Sequence, residues 1–290
     1  MIEKTEMISK LNTENKIQNF EQDSTYIDYL NSYKNKKFNR TNICDIPLVQ
    51  IQEYTIKYVK NPDSIKYSNL LIHKMYGWRG YSGVHQVNNS RKKITLSAFK
   101  GEKVVGTITL NVDEKDGLLA EQVYKPSIDN VKVLQTKINH FIHSINTTNK
   151  VPLKEINPCE FTKFAFDEQE GSKALIGALF HTVFIYAMNV FHCTDAFIEV
   201  NPRHKKFYEA LLGFQVIGDL QINPSVNAPG YLLWLNFEEN KHKISDHGGK
   251  YAYSCIEGQQ KPANMGRSLF PYFFAPQEIE KISERIAFSI

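Results

Sequence analysis

An apolar run from Ala174 to Met188 lies between two strand-like segments, Glu160–Phe166 and Thr194–Val200, and this arrangement restricts the fold more than any other feature. The run is shorter than the roughly 20 residues a bilayer span requires, and His181 and Thr182 interrupt it. It reads as a helix that is hydrophobic all round because it is buried all round. A strand, a buried helix and a second strand in succession form a right-handed crossover, which places the two strands parallel in one sheet.

The remaining segments add an antiparallel part. Tyr54–Val59 alternates as a strand does, and regular structure is expected to begin there. Asn61-Pro62 supplies a cap and a first helical residue for a helix running to about Tyr76. Gly77, Gly80 and Gly83 then open a loop around Trp78, Arg79 and Tyr81. Lys93–Phe99 and Val104–Val112, joined through Lys100-Gly101-Glu102, form a hairpin. Ile128–Ile145 is free of glycine and proline, with Val131, Leu134, Ile138 and Ile142 on one helical face. Pro202 starts a helix ending at Gly213, and Phe214–Leu220 and Tyr231–Phe237 are the last strands.

Mixed order of this kind specifies an α/β fold with a mixed central sheet and helices on both faces. A doubly wound nucleotide-binding domain needs a Gly-rich turn after its first strand, and the chain has none there. Residues 1–45 are rich in Lys, Asn, Gln and Glu and read as a mobile arm. The α/β domain is expected over 46–240. A C-terminal extension, 241–290, carries Phe270, Tyr272, Phe273 and Phe274, then a helix from Pro276 with Ile279, Ile282 and Ile286 on one face.

Charge narrows the function classes. A net charge of +4 is too small for a nucleic-acid-binding face, so nucleic acid is not an expected partner. Cys44, Cys159, Cys193 and Cys255 have no paired spacing, which points to neither a zinc site nor a disulfide framework, and no metal is expected. With Glu3, Lys4 and Glu6 near its start, the chain shows no signal-peptide core. A cytoplasmic protein with no transmembrane segment is expected.

The segment Phe197-Ile198-Glu199-Val200, Asn201-Pro202-Arg203-His204, Phe207-Tyr208 and Leu212-Gly213-Phe214 resembles the C-terminal half of GNAT acyltransferases. With Asn227-Ala228-Pro229 before a Leu-rich strand, it is similar to long-chain N-acyl amino acid synthases of the FeeM type. Tyr76, Arg79, Gly80 and Tyr81, then Gly117-Leu118-Leu119-Ala120-Glu121, and Arg267-Ser268-Leu269-Phe270-Pro271-Tyr272-Phe273 extend the likeness over roughly residues 54–275. Glu160-Phe161-Thr162-Lys163-Phe164-Ala165-Phe166 is similar to the strand of acyl-homoserine lactone synthases that carries Glu and then Ser-Arg-Phe-Ala. Lys163 replaces the arginine and lacks its bidentate fork.

The resemblance implies a fold, a reaction and a site. It implies the GNAT fold, with the strands at 160–166 and 194–200 diverging at their C-terminal ends around the donor's pantetheine arm. It implies transfer of a fatty acyl group from acyl carrier protein or acyl-CoA, used as co-substrate with no permanently bound cofactor, to the amine of an amino acid or similar small molecule. Glu160 is the implied catalytic group, orienting the amine and helping remove its proton in a cavity bordered by Trp78–Tyr81; a surface carboxylate is the alternative. Arg79, Tyr81, Thr162, Lys163 and Phe164 are the implied substrate-binding residues. Alternation places Lys163 on the face opposite Glu160, and Arg79 is open between acceptor carboxylate and solvent.

Gln169, Gly171, Ser172 and Lys173 would offer helix N-terminal donors to the pantetheine. Arg203 and His204 would contact donor phosphate or carrier protein, or cap the preceding strand. Tyr208 stands one residue from the position of the acetyltransferase tyrosine and is assigned to packing. The turn Asp167-Glu168-Gln169-Glu170-Gly171-Ser172 has one glycine and three acids where acetyltransferases cradle a pyrophosphate, which favours carrier protein as donor. Two other readings stay open: a GNAT acetyltransferase using acetyl-CoA, and a catalytically silent GNAT-fold module that binds an acyl ligand. The aromatic segment 268–275 would cover an acyl tunnel or pack in the core.

Overall fold

A computed structural model describes residues 44–81, 86–114, 117–145, 155–240, 274 and 276–287. The strands are β1 (Ile46–Ile51), β2 (Tyr54–Tyr58), β3 (Lys93–Lys100), β4 (Lys103–Val112), β5 (Pro158–Phe166), β6 (Asp195–Val200), β7 (Gln215–Asn223) and β8 (Ala228–Asn236). The helices are α1 (Pro62–Trp78), α2 (Glu121–Ile145), α3 (Lys173–Ile185), α4 (Lys205–Leu212) and α5 (Pro276–Ala287). All eight strands join one sheet in the order β1-β2-β3-β4-β5-β6-β8-β7. Its pairs are antiparallel except β5–β6, whose crossover through α3 is the one expected from the apolar run.

Local chemistry explains the element ends. Asn61 accepts a hydrogen bond from Asp63 N at 2.8 Å, with Pro62 opening α1. Ser172 Oγ accepts from Leu175 N at 3.1 Å and starts α3, which continues as a π-helical turn, Tyr186–Val190. Gly213 ends α4 at φ +77°, a left-handed conformation that glycine adopts without a Cβ penalty.

The two faces of the sheet are packed differently. Against α3 and α5, strands β3 to β6 present Ile94, Leu96, Ile108, Leu110, Phe161, Ala196 and Ile198, all buried in one core with Phe180, Phe184 and Ile286. His181 joins this layer as a neutral ring: burial lowers its pKa to about 3, its Nδ1 accepts from Phe274 N at 3.0 Å, and it stacks on Phe274. Against α1, the same strands bury Thr95, Ser97, Thr107 and Thr109. Their hydroxyls pair locally, Ser68 with Ser97 at 2.8 Å and Thr95 with Thr109 at 2.9 Å.

Several expectations change. A strand precedes Tyr54: β1 pairs with β2, and Asp45 anchors its start by accepting from the N–H groups of Lys60 and Asn61 and from Ser64 Oγ. Residues 1–43 lie outside the described residues. α2 begins at Glu121 rather than Ile128, because Pro126 follows a break at Tyr124 and is tolerated near the start of the continuing helix. Leu134, Ile138 and Ile142 on α2 are exposed, so that apolar stripe does not face the core. On α5, Ile282 and Ile286 are buried as expected. The aromatic stretch except Phe274 lies outside the described residues. No described helix is long and apolar enough to cross a membrane.

Candidate active site

β5 and β6 stay together for three pairs only: Pro158 with Asp195, Cys159 with Ala196, and Glu160 with Phe197. β5 then follows β4 while β6 follows β8, and the two parallel strands separate as expected. The split opens in the middle of the sheet, where backbone groups on its two walls are released from pairing with each other. On the β5 wall the β4 register slips between Thr107 and Thr109, and Lys163 takes φ +53°. A bulge of this kind leaves an extra residue out of the ladder and re-aims its side chain.

Glu160 stands at the apex of the split with 1% exposure. Its Oε1 accepts from Asn111 Nδ2 at 2.9 Å and Leu119 N at 2.8 Å, and its Oε2 from Ala120 N at 3.0 Å. Burial raises its pKa and these three donors oppose the rise. A carboxylate satisfied from within fastens the start of α2 to β5. None of these three donors belongs to the Trp78–Tyr81 loop.

The bulge corrects the predicted alternation. Glu160 and Thr162 share the α1/α2 face with Asn111 and Thr109, their β4 partners. Lys163, expected opposite Glu160, lies within the fields of both Glu160 and Lys93. Burial, then repulsion from Lys93, lowers the Lys163 pKa to about 8, with Glu160 pulling the other way. Thr162 Oγ1 is buried with no hydrogen-bond partner among the described residues. Phe164 takes the other face and packs on Phe166 and Phe180, so the three candidate substrate residues divide between the two sides.

The loop after α1 meets the corner after β6. Arg79 Nη1 donates to Met75 O at 2.8 Å, closing α1, and its guanidinium lies over Trp78. Tyr81 packs edge-on against Tyr76, and its buried hydroxyl lies near Asn201 without completing a hydrogen bond. Burial raises the Tyr81 pKa, while Arg203 and Arg79 oppose the rise. Arg203 folds back on its cap, Nε donating to Asn201 Oδ1 at 3.1 Å. His204 is held below its ordinary value by desolvation, then by Arg79 and Arg203. Arg79, Tyr81, Arg203 and His204 therefore form one cationic corner, although sequence had split them between acceptor and donor roles. Tyr208 is buried among Phe180, Phe207 and Phe214, consistent with packing.

The acidic turn is not a bare negative surface. Asp167 pairs with Lys103 at 3.0 Å, and Glu170 pairs with Lys100 at 2.8 Å and accepts from Tyr54 Oη at 3.1 Å. Burial raises the Asp167 pKa, but Lys103, the Gln169 N–H and Lys74 together bring it below its ordinary value; Lys100 chiefly lowers that of Glu170. Gln169 N is taken by Asp167 Oδ1 at 3.1 Å, so that amide is not free for a phosphate. Gly171 is exposed and Ser172 is engaged as the α3 cap. Lys173 opens α3.

Sequence reading assigned no role to Glu199. It lies on β6 on the same face as Phe197, half-buried, with Oε2 accepting from Asn223 Nδ2 at 2.6 Å. A carboxylate within the otherwise apolar strand Phe197–Val200 was the available signal. Among the described residues no group of His, Cys, Asp and Glu is arranged to hold a metal ion.

The profile of the FeeM family, described as N-acyl amino acid synthase FeeM, matches residues 68–236. The solved structure of FeeM, an N-acyl amino acid synthase from uncultured soil microbes, matches with TM-score 0.53 and 22% identity, covering 67% of this chain and 96% of its own. An acyl-CoA N-acyltransferase from Pseudomonas aeruginosa matches with TM-score 0.41 and 9% identity, covering 62% and 97%. Arabidopsis thaliana NAA60 with a bisubstrate analogue gives 0.41 and 12%, covering 63% and 97%. No curated protein sequence matches.

Proposed function

The chain belongs to the FeeM family of N-acyl amino acid synthases, GNAT-fold N-acyltransferases, and from that membership we propose that it moves a fatty acyl group from a thioester carrier to the amine of an amino acid. The observation that carries this reading is the three-pair β5–β6 contact and the split beyond it. A thioester lying in the split would meet the β5 bulge on one wall, and an N–H left out of the ladder there would hold the oxyanion. The amine adds to the carbonyl carbon, the C–S bond breaks, and the thiol leaves with a proton. No enzyme-bound acyl intermediate is required.

Lys163, on the α1/α2 face, supplies a cation for the carboxylate of an amino-acid acceptor. Arg79 and Arg203, in the corner they share with Tyr81 and His204, supply positive charge for the donor's phosphate. Carrier protein is the proposed donor: Arg203 and Lys206 are exposed beside the split, and a carrier protein's acidic surface complements them. Acyl-CoA is the second reading, favoured by the pairing of Asp167 and Glu170 with Lys103 and Lys100, which removes most of the repulsion a pyrophosphate would meet.

Initial rates from acyl carrier protein and acyl-CoA bearing the same chain, at low and high salt with the common amino acids as acceptors, decide between them. Faster transfer from carrier protein, slowed by salt as exposed charges are screened beyond about 8 Å, supports the first reading. Equal rates from the two donors support CoA. Transfer to no amino acid from either donor rejects the proposed function.

A further inference from the structure

Resting on the reading of the split as the transfer site, we infer that the acceptor's amine enters from the α1/α2 face between Thr162 and Glu199, and that Glu199 receives its proton. The register fixes this placement. Glu160 on β5 is opposite Phe197 on β6, so the next residues of that face, two positions on, are Thr162 and Glu199. There the strands have parted, and the two side chains line opposite walls of the opening.

Each side chain is left with an unmet polar atom. Thr162 Oγ1 is buried without a partner among the described residues, although the strand hydroxyls of Thr95, Ser97, Thr107 and Thr109 beside it are all paired. Glu199 Oε2 is fixed by Asn223, and Oε1 has no donor among the described residues. The carboxylate lies flat over Gly230, where a Cβ would come within 2.5 Å of Oε1 and 2.8 Å of Cγ; glycine at this position makes room for it. Tyr124 Oη donates to Gly230 O at 2.6 Å and closes the site on the α2 side. The Glu199 charge is felt by both Tyr124 on α2 and Tyr76 on α1. Glu160, by contrast, has no oxygen without a donor.

The chemistry needs such a group. An amino acid at neutral pH carries an ammonium, whose lone pair is unavailable until a proton leaves. Glu199 takes that proton. The free amine forms the N–C bond with the thioester carbon, and the adduct's nitrogen sheds a second proton, which the departing thiolate takes as the C–S bond breaks. Protonated Glu199 then returns its proton to water. Desolvation, and then the nearby Glu160 charge, raise the pKa of Glu199, which brings it closer to that of the amine it serves.

The test is the pH profile of kcat/KM for the amino acid the wild-type protein uses fastest, at saturating acyl thioester, for wild type, Glu199→Gln, Glu199→Asp and Thr162→Val. Glu199→Gln should fall about 10²-fold or more at neutral pH and lose the acid limb, with donor KM unchanged. Glu199→Asp should keep a limb, and Thr162→Val should raise acceptor KM alone. An aminooxy acceptor, already unprotonated at neutral pH, should recover most of the Glu199→Gln loss. A wild-type acid limb that persists in folded Glu199→Gln, or a variant not rescued by the aminooxy acceptor, overturns the inference while wild-type transfer leaves the function intact.

Discussion

Facing α3 and α5, the central strands present Leu96, Ile108, Phe161 and Ile198; facing α1 and α2, the same strands present Ser97, Thr107, Asn111, Glu160, Thr162 and Glu199. Both sides are closely covered, but the α3/α5 side is almost wholly apolar, whereas the α1/α2 side sets paired polar groups among apolar clusters around Ile72 and Tyr124. An apolar layer gains from every contact and needs no partner for any atom. A buried polar layer is neutral at best when complete and costly wherever one atom is left over. Two of the leftover atoms, at Thr162 and on Glu199, border the opening between β5 and β6, and a third, Tyr81 Oη, lies at the corner after β6. The larger apolar core therefore lies on one face, and the polar groups that can do chemistry lie on the other.

The largest effect that separates the faces is expected from Phe184→Ala on α3. Phe184 is 1% exposed, stacked on Phe161 at 5.4 Å and edge-on to Phe237 at 5.6 Å. Its removal should cost about 3–5 kcal/mol in urea denaturation. Turnover per folded molecule should stay within about twofold of wild type. A steep fall in turnover for long acyl chains, but not short ones, would show that the acyl chain runs through the apolar face and would break the division.

Glu160→Gln tests the polar face for a structural part. The amide keeps one acceptor oxygen for Asn111 and Leu119 and turns an N–H₂ toward Ala120 N, which should cost about 1–3 kcal/mol of stability. The acid limb of the activity profile should survive, because the carboxylate is a fastener. Loss of that limb in a folded variant would return the base role to Glu160.

What was legible in sequence follows the same division. The apolar helix, the parallel pair and the hairpin were readable because hydrophobic periodicity reports burial against a sheet. The α2 stripe failed because periodicity states that a helix has an apolar side and not what covers it: Val131 packs near Tyr124, while Leu134 and Phe141 stay exposed. β1 was missed because Ile46–Ile51 is short and contains Pro47, which an edge strand tolerates. At the site, Thr162 and Lys163 were found by resemblance, but their side of the sheet depended on a bulge that no residue in the strand announces. Lys100 and Lys103 lie more than 60 residues from the acids they neutralise, so the turn read as more negative than it is.

The smallest of these effects, and the one with opposite signs for stability and activity, belongs to Lys163→Met. The ammonium's ordinary pKa is 10.5, and burial with Lys93 beside it brings the folded value to about 8. Between those values the unfolded chain holds a proton that the folded protein has released. Stability from this group therefore rises as pH climbs from about 8 toward 10.5, and the folded protein carries the full penalty below 8. Methionine removes the penalty, so the variant should melt higher than wild type at pH 7 and lose the stability gain between pH 8 and 10. If Lys163 holds the acceptor's carboxylate, the same change should raise acceptor KM about tenfold, roughly 1.4 kcal/mol, with kcat less affected. Wild-type acceptor KM should itself rise above pH 8 as the ammonium titrates, and the variant's should not. A variant that melts lower at pH 7 and binds acceptor as wild type does would make Lys163 part of the scaffold, and would leave Thr162 and Glu199 as the polar face's remaining candidates for contact with the acceptor.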